Sequence, residues 1–566
     1  MNKISSLVQK YYVMLSLLGF SFLLILPQII SRDVIMGSDS VFHYNRFYDA
    51  AMQIKEGNFS YFISMYGFQQ SGRIVNAVYG PLFAYAQGLL VLISGSWFSY
   101  QLLSRFLIAL IAGSSLYNLL RQAKVRQLIA LSLALFYMTT FAIQYWTMRQ
   151  GFSSWGAAIL PYCFIPAIRF TFYRKVEPIR LAVSVALIFQ VHMLSALMLI
   201  MMYIPFFLYG FIKSDQKVLL LKRGLQSVGL FMILTANVWS VLLYLKSRNQ
   251  LLDPFINDTI GLNGIDGTSS YWLITPSPLG ILLVGQIIYV LIHFKNLASW
   301  KKVLHLLYFL FIFLSTGLFP WQWLLEHGNA VAKLIQFPFR FFVPATILLL
   351  MITGISVNQF TKWRSAVSWL LLGLAIVGLY QTNLNTTAVT AERVGKYIIS
   401  KSKHVYVNGS YEEIKASLHS HDLQHFLKLV VKTTPDYVPV YGIRGTRNTY
   451  DLYYNHVVQN SNHVDKCVKG DQLILTWTGQ SNHEVDLPVV KYRNTQLRLN
   501  GKVLSPKDYD LSIIGTPRVM SQEGENKLIV TFLVPFWLTS LIILALLSWL
   551  ILGLQIGYKI YIKRFV

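Results

Sequence analysis

Asp39, His43 and Arg46 fall within the ten residues GSDSVFHYNR (37–46), and on a helix their spacing of four and then three places them on one face. A carboxylate so placed can take the proton of an attacking hydroxyl while His43 orients it and Arg46 holds an anion. A structural role fits the same residues: an Asp at a helix N-terminus meets the dipole, and an Arg beside a membrane contacts headgroups. Three further positions suit anion binding. Arg340 stands in LIQFPFRFF (334–342) at the end of an apolar run, Arg149 in the aromatic YWTMRQGFSSWG (145–156), and His192 in FQVHMLSA (189–196). A guanidinium partly inside a membrane is costly unless paired, and its planar fork matches phosphate. Arg46, Tyr79 at the head of YGPLFAYAQ, and Glu326 and His327 in LLEHGN complete the set as substrate-lining positions.

The elements that must carry these residues are membrane spans. Of 566 residues, 54% are hydrophobic and 13% charged, about half the charged share of a soluble domain. Lys and Arg outnumber Asp and Glu by 49 to 24. The excess lies in short junctions such as YRKVEPIR, KSDQKVLLLKR, HFKNLASWKK and NQFTKWR, which is the pattern of positive cytoplasmic loops and excludes a nucleic-acid partner. Two cysteines, Cys163 in an apolar stretch and Cys467 in a polar one, make no disulfide framework. P-loop, HExxH and GxSxG motifs are absent, which argues against ATP-driven transport and zinc proteolysis.

Runs of roughly 20 apolar residues begin at 11–30, which is too long for a signal-peptide core and reads as a retained span with a cytoplasmic N-terminus. Residues 31–80 form a polar, aromatic outer loop, and 79–95, opened by Gly-Pro, reads as a re-entrant or interfacial helix. Crossings are then expected near 100–120, 127–145, 155–172, 178–191, 193–212, 223–245, 274–293, 303–319, 338–356, 365–381 and 530–553. That makes about twelve, with both termini inside and every candidate residue at the outer surface. Between them, 383–528 is polar. AERVGKYIIS through HDLQHFLKLV looks helical, while DQLILTWTG, TQLRLNGKVL and NKLIVTFLV alternate as strands. The expected organisation is a membrane domain over 1–382 with a catalytic first loop (31–98), an extracytoplasmic α/β domain over 383–528 that is β-rich in its second half, and a last helix with a basic tail over 529–566. Tyr450, Tyr453, Tyr454 and Trp477 are either sugar-stacking faces or β-sandwich core.

An Asp just after the first span, a Pro-started interfacial helix and the span SRFLIALIAG resemble membrane glycosyltransferases of the GT-C superfamily. Through GSDSVFHYNRF, YGPLFAYAQ, QVHMLSAL, IQFPFRFF and the later TPDYVPVY and LPVVKYRNTQLRLNGKVL, the chain is similar to bacterial YfhO-type membrane proteins. The resemblance implies inverting transfer of a sugar from a polyprenyl-phosphate donor to a surface polymer or glycan, outside the cytoplasmic membrane. Asp39 would be the general base with His43 as its partner, and Arg340, with Arg149 or His192, would neutralise the departing phosphate. Many superfamily members carry two acids in this loop. Here Ser38 and Ser40 flank one, which offers a divalent metal too few oxygens, so no metal or other cofactor is assigned. The competing readings are a polytopic transporter or flippase, for which midplane charges and inverted repeats are missing, and a non-catalytic scaffold for envelope assembly.

Overall fold

The structure is a computed structural model that describes all residues except 1, 38, 269–272, 361–362, 394–403, 443–447 and 566. The chain is a multi-pass helical membrane protein with a β-rich segment before its last helix. Among the described residues, nine helices are long and apolar enough to cross a bilayer. Lys217–Leu234 and Ala236–Arg248, bent by 67°, make a tenth if they are taken as one span. All twelve expected runs are helical, but two are short: Pro178–Val191 has 14 residues and Ser299–Leu314 has 16, against the roughly 20 a crossing needs. The first of these is cut at His192, whose extended backbone (φ −157°, ψ 102°) ends one helix and starts the next. Pro81–Ser94, expected to lie in the interface, is likewise a 14-residue helix.

Contacts divide the chain into two units that do not follow sequence order. One comprises 1–37, 101–231 and 256–394, the other 38–100, 232–255 and 395–566. In the first unit, Phe342–Ser356 is buried at every position, as expected of a helix that is apolar all round. Gln28, Gln101 and Arg105 form a buried polar lock: Arg105 donates to Gln28 Oε1 (2.6 Å) and to the Leu24 carbonyl (3.1 Å), and Gln101 exchanges bonds with the Ile35 backbone. The long helix Arg364–Arg393 runs past the expected domain boundary at 382, carried by Thr hydroxyls that bond back one turn. The rest of the expected AERVGKYIIS helix, from 394, lies outside the described residues.

The second unit is built around Ser40–Glu56, a helix of polar composition with thirteen buried residues. It packs on Pro81–Ser94 so closely that a Cβ on Gly88 would sit 2.7 Å from the Ala51 nitrogen. Tyr44 stacks on Trp97 at 4.3 Å and meets Tyr100 and Phe426 edge-on. The strands are antiparallel. β1 (Val405–Val407) pairs with β2 (Val430–Lys432). A five-stranded sheet has the order β3-β4-β10-β6-β7, comprising Asp465–Lys469, Gln472–Gly479, Gly524–Phe532, Thr495–Leu499 and Lys502–Val503. A three-stranded sheet has the order β5-β9-β8, comprising His483–Asp486, Pro517–Ser521 and Tyr509–Leu511. Leu473, Leu475, Trp477, Val519, Leu528 and Val530 share one core across both sheets. Trp477 is therefore core, as is Tyr453 in a second apolar cluster, and neither presents a face to sugar. Tyr450 stacks on His404 and Tyr454 on Tyr406.

Candidate functional site

Asp39 stands at the N-cap of Ser40–Glu56 but makes no side-chain cap bond. Its Oδ1 instead accepts from Lys432 Nζ at 3.3 Å, with the Asp39 side chain 53% exposed and that of Lys432 15%. So exposed a pair adds little stability, and the Asp39 carboxylate stays open to solvent. Lys432 ends β2, and four residues on comes Asp436, which is partly buried. Burial pushes its carboxyl up to about 6, against the opposing pull of Arg73 and Lys432, while the charge of Asp39 adds to the rise. Asp39 and Asp436 thus both act in the field of one ammonium.

The same helix positions the other expected residues of this unit. His43 and Arg46 share a face, Arg46 Nη1 donating to His43 Nδ1 at 3.4 Å. Arg46 also donates from Nε to Asn76 Oδ1 (3.1 Å), and the Asn76 amide returns a bond to the Arg46 carbonyl. Its guanidinium lies 4.3 Å over the Tyr79 ring, a cation–π contact between a buried cation and a partly buried ring. Burial lowers the Arg46 pKa to about 10, opposed by Tyr79 and Tyr437, so it stays a cation at neutral pH. Tyr79 meets Tyr437 edge-on at 5.7 Å, and burial, then Asp436, raises its phenol to about 12. His43 packs between Phe42 and Phe47. The described partner of the Asp39 carboxylate is Lys432, where the sequence suggested His43.

Arg73 holds the Asp436 segment in place. Fully buried, it donates to the carbonyls of Thr434 (2.7 Å) and Asp436 (2.5 Å) and lies over Phe68 and Tyr453. Asp49, one turn beyond Arg46, accepts from the backbone of Tyr66 (2.8 Å) and Gly67 (3.2 Å), and burial raises it to about 6. Sequence reasoning passed over Lys432, Asp436, Arg73 and Asp49. TPDYVPVY contains Asp436, but only the pairing of β2 beside the helix N-terminus gives it meaning.

The remaining expected residues belong to the first unit. Arg149 ends Phe141–Arg149, and Gly37 packs against its backbone. The next residue, Gln150, is fully buried and neither amide atom has a hydrogen-bond partner among the described residues. His192 caps Met193–Ile212, its Nδ1 accepting from the Ser195 amide (3.2 Å) and lying 2.8 Å from the Ser195 hydroxyl, so it has a structural duty whatever else it does. Phe152, three residues after Arg149, approaches the His192 ring at 6.3 Å. Arg340 donates to the Ile335 carbonyl (2.9 Å) and lies over Phe337. Its neighbour Phe339 meets Tyr145. Arg149, His192 and Arg340 therefore sit on adjoining segments. Glu326 and His327 stand apart at an exposed helix end, bonded to Gln322 and the Trp323 carbonyl.

The donor set around Asp39 does not fit a divalent ion. Its two carboxylates already face an ammonium, and no group of three or more His, Cys, Asp or Glu side chains gathers among the described residues.

No family model matches the chain, and no curated protein matches it. Among solved structures, the chain is similar to the oligosaccharyltransferase of Archaeoglobus fulgidus, crystallised tethered to an acceptor peptide containing the NVT sequon. The likeness has 12% identity and a TM-score of 0.35, and covers 78% of this chain and 61% of that one.

Proposed function

We propose that this protein is a membrane glycosyltransferase that moves a sugar from a polyprenyl-phosphate donor to a hydroxyl of a surface polymer or glycan, on the outer side of the cytoplasmic membrane. The observation that carries the reading is the half-exposed Asp39 carboxylate, paired with Lys432 in the field it shares with Asp436. In the reaction, the acceptor oxygen attacks the anomeric carbon on the face opposite the phosphate. Its proton passes to Asp39, and the carbon–oxygen bond to phosphate breaks with both electrons leaving on the phosphate. Glycoside and polyprenyl phosphate are the products, with inversion. Asp436 shares the Lys432 ammonium and leaves an Asp39 oxygen available to the hydroxyl. Arg340, Arg149 and His192 are assigned to the donor phosphate, whose growing charge a guanidinium stabilises.

Asp39→Asn keeps the shape of the side chain and removes the base. Transfer of radiolabelled sugar from polyprenyl phosphate by the purified variant is expected to fall by about 10²–10⁴-fold, with membrane insertion normal. Unchanged transfer would remove Asp39 from the mechanism, and absence of any transfer by the wild type would favour the scaffold reading.

A further inference from the structure

The C-terminal end of Ser40–Glu56, the loop after it and the β3–β4 turn enclose a cleft of about 540 Å³ lined by Glu56, Asn58, Phe59, Tyr66, Gln70 and Asp471, among others. We infer that this cleft binds a neutral or amino-sugar saccharide and rejects acidic ones. Phe59 is 64% exposed, and Tyr85 braces it edge-on. A ring presented this way matches the C–H face of a pyranose. Around it stand two carboxylates, two amides and a phenol, which together accept and donate hydrogen bonds as a polyol requires. Asn58 donates to the Tyr66 hydroxyl at 2.6 Å, which links two of these polar groups.

Charge sets the class. Glu56 and Asp471 take part in none of the ion pairs among the described residues. Lys55 and Lys469 neighbour the cleft in sequence but do not line it. In a chain with twice as many bases as acids, a cleft whose only charged lining is negative disfavours phosphate or uronate. It accepts a neutral sugar or a protonated amine. The stretch that brings Gln70 to the cleft is also fixed in advance. Phe68, Gln69 and Gln70 all have positive φ (52°, 55° and 52°), a costly conformation for non-glycine residues. They are held by Asn45 on the Phe68 amide and Lys466 on the Gln69 carbonyl.

From Asp39 to Glu56 the helix rises about 25 Å. The cleft therefore holds a remote part of a polymer rather than the reacting hydroxyl; its role as an acceptor subsite rests on the function proposed above, whereas its affinity for saccharide does not. The test is binding of the full-length protein in nanodiscs to immobilised neutral, amino-sugar and uronic-acid tetrasaccharides. The expected result is binding to neutral or amino-sugar members, weakened at least tenfold by Phe59→Ala and unaffected by Asp39→Asn. Glu56→Gln with Asp471→Asn should raise binding of the uronic-acid members. The inference is overturned if only acidic members bind, if none bind, or if Phe59→Ala binds as the wild type does. Lost transfer with retained binding in Asp39→Asn separates a failure here from a failure of the catalytic reading.

Discussion

Asp436 takes up its proton near neutrality because burial outweighs the pull of Arg73 and Lys432, and this gives the proposed reaction a pH signature. Once Asp436 is protonated it no longer competes for Lys432, so the ammonium binds Asp39 more exclusively and makes it a poorer base. The rate of sugar transfer should therefore fall through a single-proton limb near pH 6. The effect reaches Asp39 through the Lys432 ammonium. The limb should therefore disappear both in Lys432→Gln and in Asp436→Asn, each with a lower plateau. A pH–rate profile of the three proteins checks this, and a limb that stays in place in Lys432→Gln separates the ammonium from the effect. The ammonium already offsets the charge of the Asp39 carboxylate. Transfer should survive chelation by EDTA yet drop at least tenfold in Lys432→Gln. Loss of activity in EDTA that is restored by added magnesium would reverse the assignment.

At the scale of elements, the site depends on how closely Ser40–Glu56 lies on Pro81–Ser94. Gly88 allows that approach, since a Cβ there would meet Ala51 N at 2.7 Å and Ala50 C at 2.9 Å. Backbone cannot give way as a flexible side chain can, so Gly88→Ala should cost about 1–3 kcal/mol through overpacking. Thermal denaturation of the purified protein should show a melting point lowered by several degrees, with sugar transfer reduced as Asp39 shifts; an unchanged melting point would contradict the contact. The helix itself was legible. Of the expected i, i+4, i+7 series, His43 and Arg46 share a face as helical geometry alone requires, while Asp39 stands at the N-cap. Its partners were not. Arg73 meets Asp436 across 363 residues and Lys432 meets Asp39 across 393, and no local periodicity encodes a pairing at such separation. Trp477 could be read either way, because a strand shows which residues alternate but not which face is covered. His192 was visible as a polar residue at a break between apolar runs, whereas its use as a helix cap needed the Ser195 amide in view.

For the whole molecule, hydropathy located every apolar run, because burial in lipid makes a demand that each segment must meet by itself. Length then separates helices that reach the roughly 20 residues of a crossing from those that do not, as Pro178–Val191 and Ser299–Leu314 show. The division into two units escaped the sequence, since residues 38–100, 232–255 and 395–566 associate across three separate stretches. Orientation remains an expectation drawn from the basic junctions, and the protein carries its own probe for it. Cys467 is exposed on β3, while Cys163 is buried within the span Ser153–Tyr173. A membrane-impermeant maleimide added to intact cells should therefore label a single site, lost in Cys467→Ser and retained in Cys163→Ser, if the β-rich segment faces outward. Labelling that requires lysis would put β3 on the cytoplasmic side. Asp39, which clusters in the same unit as β3, would then need a cytoplasmic sugar donor in place of the outer one.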